Sequence, residues 1–109
     1  MALYEGVITI PPRTAADNPV EIIVRPLTSF IKNVSILFPG GSLGLVGVKI
    51  SEDNRQFAPM SSGWIRDNDK TVTFQVNRNM QGPPYRILIH GFSLASDWPH
   101  TVIVRLEVT

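Results

Sequence analysis

Hydrophobic residues recur at every second position in one stretch of the chain after another. In VEIIVR, Val20, Ile22 and Val24 share one side, and in FIKNVSILF so do Val34, Ile36 and Phe38, with Lys32 near the start. GLVGVKI groups Val46, Val48 and Ile50 opposite Lys49, and KTVTFQVN groups Val72, Phe74 and Val76 opposite Thr71, Thr73 and Gln75. YRILIHG sets Tyr85, Ile87 and Ile89 against Arg86, Leu88 and His90. HTVIVRLEV lines up Val102, Val104, Leu106 and Val108 against Thr101, Ile103, Arg105 and Glu107. A period of two belongs to β-strands with one buried face, because successive side chains leave a pleated strand on opposite sides.

Between these runs lie turn formers: PPRTAADNP at 11–19, FPGG at 38–41, SEDNRQ at 51–56, RDNDK at 66–70 and NMQGPP at 79–84. Gly, Pro, Asn and Asp supply the dihedral angles that reversals need. No long window keeps a helical period. Seven or eight short strands with such turns predict an all-β, single-domain antiparallel β-sandwich spanning 1–109, jelly-roll-like in its connections. A first strand over roughly Leu3–Ile10 is expected at a sheet edge. The proline-bearing segment that follows is either a crossover between sheets or part of an extended arm over residues 1–19.

The chain has 109 residues, of which 43% are hydrophobic and only 17% charged. Soluble domains average about 25% charged residues. So few charges suit a protein that covers part of its surface with a partner. Net charge is +1 with no basic run, which disfavours binding to a nucleic-acid backbone. The absence of cysteine excludes disulfides, thiolate metal sites and cysteine nucleophiles. MALYEGVITI lacks a basic leader and carries Glu5, so it does not read as a secretory signal, and no apolar run is long enough for a membrane helix.

Reactive-looking side chains crowd into HGFSLASDWPH, His90 to His100. GFSLA approaches a nucleophile elbow, but an elbow turns a strand into a helix, with acid and histidine arriving from distant loops. Ser93, Asp97 and His100 lie within one strand-to-strand connection and cannot readily enclose a substrate. A metal site from His90, Asp97 and His100 is weaker than the reading of both histidines as surface or loop residues. Asp97 reads as a turn opener and Trp98 as a lid over one end of the sandwich. PGGSLGLVGVK lacks the Lys-Ser/Thr and helix of a phosphate loop, so its glycines are expected to permit a positive-φ turn and a close backbone approach. Asp67 and Asp69 fit a hairpin turn better than a calcium loop. Trp64, Trp98 and Tyr85 near strand ends admit glycan stacking, although core caps are the commoner role. The expected protein is thus no enzyme and needs no cofactor.

The order IKNVSILFPGGSLGLVGVKI, GWIRDNDKTVTFQV, PPYRILIHGF resembles the compact β-sandwich proteins of tailed-bacteriophage virions, especially small head-decoration or cement proteins. The resemblance spans roughly residues 20 to 108. It implies a location on the outer capsid shell, the major capsid protein or other virion subunits as partners, a homo-oligomer, and no catalytic residues. Outward apolar residues, Leu37, Leu45, Leu88 and Ile103, agree with a chain embedded among partners. Interface candidates are Arg13, Phe38, Leu43, Arg55, Trp64, Arg66, Trp98 and His100, since Arg and Trp favour interface centres and the others sit on the same loops. A carbohydrate- or receptor-binding module of a phage tail or fibre is the alternative.

Overall fold

The computed structural model describes residues 2–26, 30–40, 44–52, 55–58, 63–80, 85–95 and 98–108. Gly41, Leu43, Asp97, the Phe74 side chain and the 81–84 part of the last turn lie outside the described residues. Among the described residues the strands are β1 (Ala2–Ile10), β2 (Val20–Val24), β3 (Phe30–Phe38), β4 (Val46–Glu52), β5 (Arg55–Ala58), β6 (Ile65–Arg66), β7 (Lys70–Asn79), β8 (Ile87–Ser93) and β9 (His100–Val108).

Their pairing is antiparallel and nested. The first strand pairs with the last, β2 with β8, β3 with β7, and β4 with β5 and β6. Such a chain is one long hairpin, and two more pairings, β3 with β9 and β4 with β8, roll it up. The products are a four-stranded sheet ordered β1-β9-β3-β7 and a five-stranded sheet ordered β2-β8-β4-β5, with β6 also on β4. Rolling has a physical cause: a flat hairpin would leave its apolar face in water, whereas two layers close that face on itself. The expected jelly-roll-like sandwich is the observed fold.

Most described residues of the period-two sets enter the core, and Val20, Ile22, Val24, Val72, Val76 and Tyr85 pack against it half-buried. Ile8, Ile10, Val34, Ile36, Phe38, Val102, Val104, Leu106 and Val108 come from one sheet, and Val46, Val48, Ile50, Ile87 and Ile89 from the other. Each such side chain contributes about 1.5–3 kcal/mol by leaving water. β3 carries a phase change. The register shifts between Ile31 and Asn33 against both of its neighbours, so Ile31 and Val34, three residues apart, both face inward. A bulge of this kind adds one residue and bends the sheet.

Two glycines set the distance between the layers. A Cβ on Gly6 would meet Ile89 and Val24 at 3.0 Å and Ile22 at 3.1 Å, all from the opposite sheet. A Cβ on Gly91 would come within 2.5 Å of Ile10 and 3.3 Å of Ile8. Each sheet therefore lowers its isoleucines onto a bare backbone position of the other. The fit holds β1, which pairs with β9 from Ala2↔Val108 to Ile10↔His100 and lies at the sheet edge. Residues 11–19 then cross to the other sheet. The Arg13 N–H donates to the Ala95 carbonyl at 2.9 Å, and Thr14 bridges Ser93.

Among the described residues, one ion pair spans the layers. Arg78 of β7 donates through Nε and Nη2 to Glu52 Oε1 of β4, at 3.0 and 2.9 Å, and its guanidinium stacks 5.3 Å from the Phe57 ring. Glu52 is buried, and removing a cationic partner from a buried carboxylate is costly. Replacing Arg78 by Met is expected to cost about 3 kcal/mol, a fall of at least about 10 °C in Tm by calorimetry. The double variant Glu52→Leu/Arg78→Leu should recover most of that loss.

Candidate functional site

The His90–His100 stretch is the end of one strand, a loop and the start of another. Ser93 is the last residue of β8, its hydroxyl accepts the Ala95 N–H at 3.2 Å, and its own N–H donates to the Thr14 carbonyl at 3.0 Å. The Leu94 N–H donates to the Leu45 carbonyl at 2.9 Å. These groups of Ser93 and Leu94 are therefore engaged in holding the crossover and β4 together. His90 lies on the outer face of the five-stranded sheet, where Nε2 donates to Glu21 Oε2 at 2.8 Å. His100 differs from its expected surface position. It is 5% exposed, because it shares the inward phase of β9 with Val102 and Val104. The two histidines thus belong to different sheets and opposite faces, and no group of three or more metal-binding side chains occurs among the described residues.

The acidic turn is likewise local. The Asp67 carboxylate accepts the Asn68 N–H at 2.8 Å and lies 3.9 Å from Lys70 Nζ. Asp69 adopts φ 49° and its N–H donates to the Pro39 carbonyl at 3.2 Å. The expected positive-φ turn is found at Gly44, which takes φ 74°, whereas what comes close to Gly47 is a side chain and not a backbone.

That neighbour is Phe92, which periodicity alone places outward with Leu88 and His90. It is nevertheless 4% exposed and stands apart from the main core. Gly47 and Phe92 are cross-strand partners, and the ring lies over the bare glycine, where any Cβ would overlap it. Trp64 meets the ring edge-on, with centroids 4.7 Å apart and planes at 75°. The Arg66 guanidinium covers Phe92 at 5.6 Å while its Nε donates to the Gly44 carbonyl at 2.8 Å, and Lys49 Nζ lies 4.6 Å over Trp64. The cluster caps the outer face of this sheet. Trp64 and Arg66 are engaged within the chain, and the indole face is partly taken by Lys49.

The other interface candidates fall into two groups. Phe38 is 4% exposed in the core, in phase with Val34 and Ile36, so it offers nothing to a partner. Arg13, Arg55 and Trp98 are exposed. Trp98 does not form the expected lid: at 60% exposure it projects from the sandwich, and the buried Ala95 occupies the loop's inner side.

The outer face of the four-stranded sheet carries what the candidate residues omit. Leu3 is 68% and Val7 52% exposed. Val7 pairs with Ile103, and Ile103 with Leu37, giving an apolar row across three strands. Polar rows border it: Glu5 with Arg105 at 3.0 Å, Ser35 with Thr73 at 3.1 Å, and Thr9 with Thr101 at 3.1 Å. Its signal in the sequence was the alternation Leu3, Glu5, Val7, Thr9. The row is apolar, exposed at Val7 and half-buried at Ile103 and Leu37, with charge and hydroxyls around it.

The chain has two tryptophans, so a Trp98→Phe background isolates Trp64. There, Gly47→Ala is expected to evict Phe92 and shift Trp64 emission to the red, with faster acrylamide quenching. An unchanged spectrum would contradict the packing of Phe92 on Gly47.

No protein-family model matches the chain, and no curated protein matches it. Among solved structures, the chain is similar to one described as the crystal structure of FLHE, at 8% identity and TM-score 0.45, over 96% of this chain and 94% of that one. It is also similar to a family two carbohydrate esterase from Cellvibrio japonicus, at 15% identity and TM-score 0.37. That alignment covers 97% of this chain and 35% of the esterase.

Proposed function

We propose that this chain is a structural subunit that fastens neighbouring subunits of a larger assembly, and specifically a decoration (cement) protein on the capsid surface of a tailed bacteriophage. The observation that carries the reading is the apolar row of exposed Val7 with half-buried Ile103 and Leu37 on the outer face of a four-stranded sheet, with exposed Leu3 on the same face of β1 beyond Glu5. Large apolar side chains gain free energy when a partner removes them from water. A sheet braced from behind by a packed core presents them with little further ordering cost.

The work of such a protein is mechanical. Burial against two capsid subunits at once stabilises the joined state over the separated one, by mass action. Stable interfaces remove roughly 1,200–2,000 Å² from water. The row is the centre of such a contact, with the Glu5–Arg105 and Ser35–Thr73 rows as its polar rim. Exposed Arg13 and Trp98, from the loops at one end, extend the surface.

Candidate capsid shells incubated with the purified chain test this reading. Saturable co-sedimentation is expected, with a higher temperature of shell disruption, and Val7→Asp should weaken binding at least about tenfold. Shells neither bound nor stabilised would overturn it. Retention on a glycan array, lost in Trp98→Ala, would move the function to sugar recognition.

A further inference from the structure

The four sheet edges are not alike. An edge strand presents unpaired N–H and C=O groups to any passing strand, and native proteins blunt edges with short strands, prolines, bulges and charges. On the five-stranded sheet, β2 has five residues between Pro19 and Arg25-Pro26. The opposite edge is split into β5 of four residues and β6 of two, with a register shift between Ile50 and Ser51. On the four-stranded sheet, β7 carries Lys70, Arg78 and a left-handed Asn77 at φ 47°, with a register shift against β3. β1 is different. Its nine residues, ALYEGVITI, contain no proline, lysine or arginine, and it pairs with β9 without a register shift. Among the described residues no strand pairs with its other side.

From this asymmetry we infer that β1 is the assembly edge of the protein, and that it pairs antiparallel with β1 of a second copy of this chain around a two-fold axis at Gly6. The occupant follows from the strand itself. In an antiparallel self-pair centred on one residue, outward side chains meet outward side chains, so the two four-stranded sheets join into one eight-stranded sheet. Gly6 is the midpoint of Ala2–Ile10, and centring there pairs all nine residues. Leu3 then faces Thr9 of the other copy and Glu5 faces Val7. Centring one residue earlier would set Glu5 against Glu5, a like-charge pair that costs stability. The fullest register is therefore also the one that avoids repulsion, and each Glu5 keeps its own Arg105 at 3.0 Å.

The same register uses the exposed apolar side chains. Val7 comes diagonal to both Leu3 and Val7 of the second copy, within reach for side-chain contact. The row Leu37–Ile103–Val7 then continues across the axis into its mirror. The surface proposed to meet a shell is doubled and made symmetric. This inference deepens that reading, yet it concerns the chain alone.

The test needs no capsid, so its failure and the failure of shell binding are separate results. Sedimentation equilibrium of the purified chain up to about 1 mM should give twice the 12.1 kDa monomer mass. Val7→Glu, which sets like charges directly opposite at each Glu5, should return it to monomer while keeping a cooperative thermal transition, because Val7 is half-exposed. Register is read by cross-linking, for which the cysteine-free chain is suited. Directly opposed residues lie about 4.5–5.5 Å apart at Cα, inside disulfide range, whereas self-related Glu5 or Val7 positions lie about 7–8 Å apart. Mixed Glu5→Cys and Val7→Cys chains should therefore form an oxidised heterodimer, and each variant alone should remain largely uncoupled. A monomeric wild type, a Val7→Glu dimer, or equal coupling of either variant alone would overturn the inference.

Discussion

The packing of Ile8 and Ile10 onto Gly91, answered by Ile22, Val24 and Ile89 over Gly6, is the contact on which the rest of the molecule depends. It brings two sheets together at the flank where the chain begins, and it holds an unblunted strand in place from inside. Without it β1 would have one ladder of hydrogen bonds to β9 and little else. With it, the strand's inward side chains are locked, and Leu3, Glu5, Val7 and Thr9 are presented outward in a fixed row. The exposed band and the open edge are thus both consequences of how the interior closes.

Much of this was legible in the sequence, for a simple reason. A strand with one buried face records its orientation in every second residue, and the alternation in HTVIVRLEV or YRILIHG survives unchanged in the fold. His100 stands two residues before Val102, in the buried phase, so its burial was available to the same rule that placed Val104. Phe38 was in that position too: periodicity put it inside while its loop neighbours suggested a contact. Ile31 was hidden by the bulge at Lys32, which breaks the period where a single-strand reading ends. Phe92 was hidden for the opposite reason. Its phase is outward, and only the cross-strand glycine at Gly47 gives it a place to lie. Aromatic cover over a strand glycine is a property of pairs, and pairing is not written in one strand.

In the stretch with the most chemical side chains, the described groups hold the fold together. Ser93 gives its hydroxyl and its amide to a turn and a crossover, and the two histidines are divided between opposite faces. Function is instead read from side chains with little reactivity but much exposed surface. Leu3 and Val7 are left in water on the outer face of the four-stranded sheet, beside polar pairs that satisfy one another. An ion pair between layers, Glu52 with Arg78, stiffens one end of the block; the crossover bonds to Thr14 and Arg13 fasten the β8–β9 connection.

Equilibrium unfolding of Gly91→Ala beside Gly63→Ala tests the central contact most directly, because a Cβ at Gly63 meets nothing within 4 Å. The expected result is a loss of about 1–3 kcal/mol for Gly91→Ala and a change within about 0.5 kcal/mol for Gly63→Ala. Amide exchange in β1 should rise in the first variant before that in β3. Equal stability of the two variants, with β1 exchanging as in the parent chain, would contradict the claim that this contact holds β1 in place.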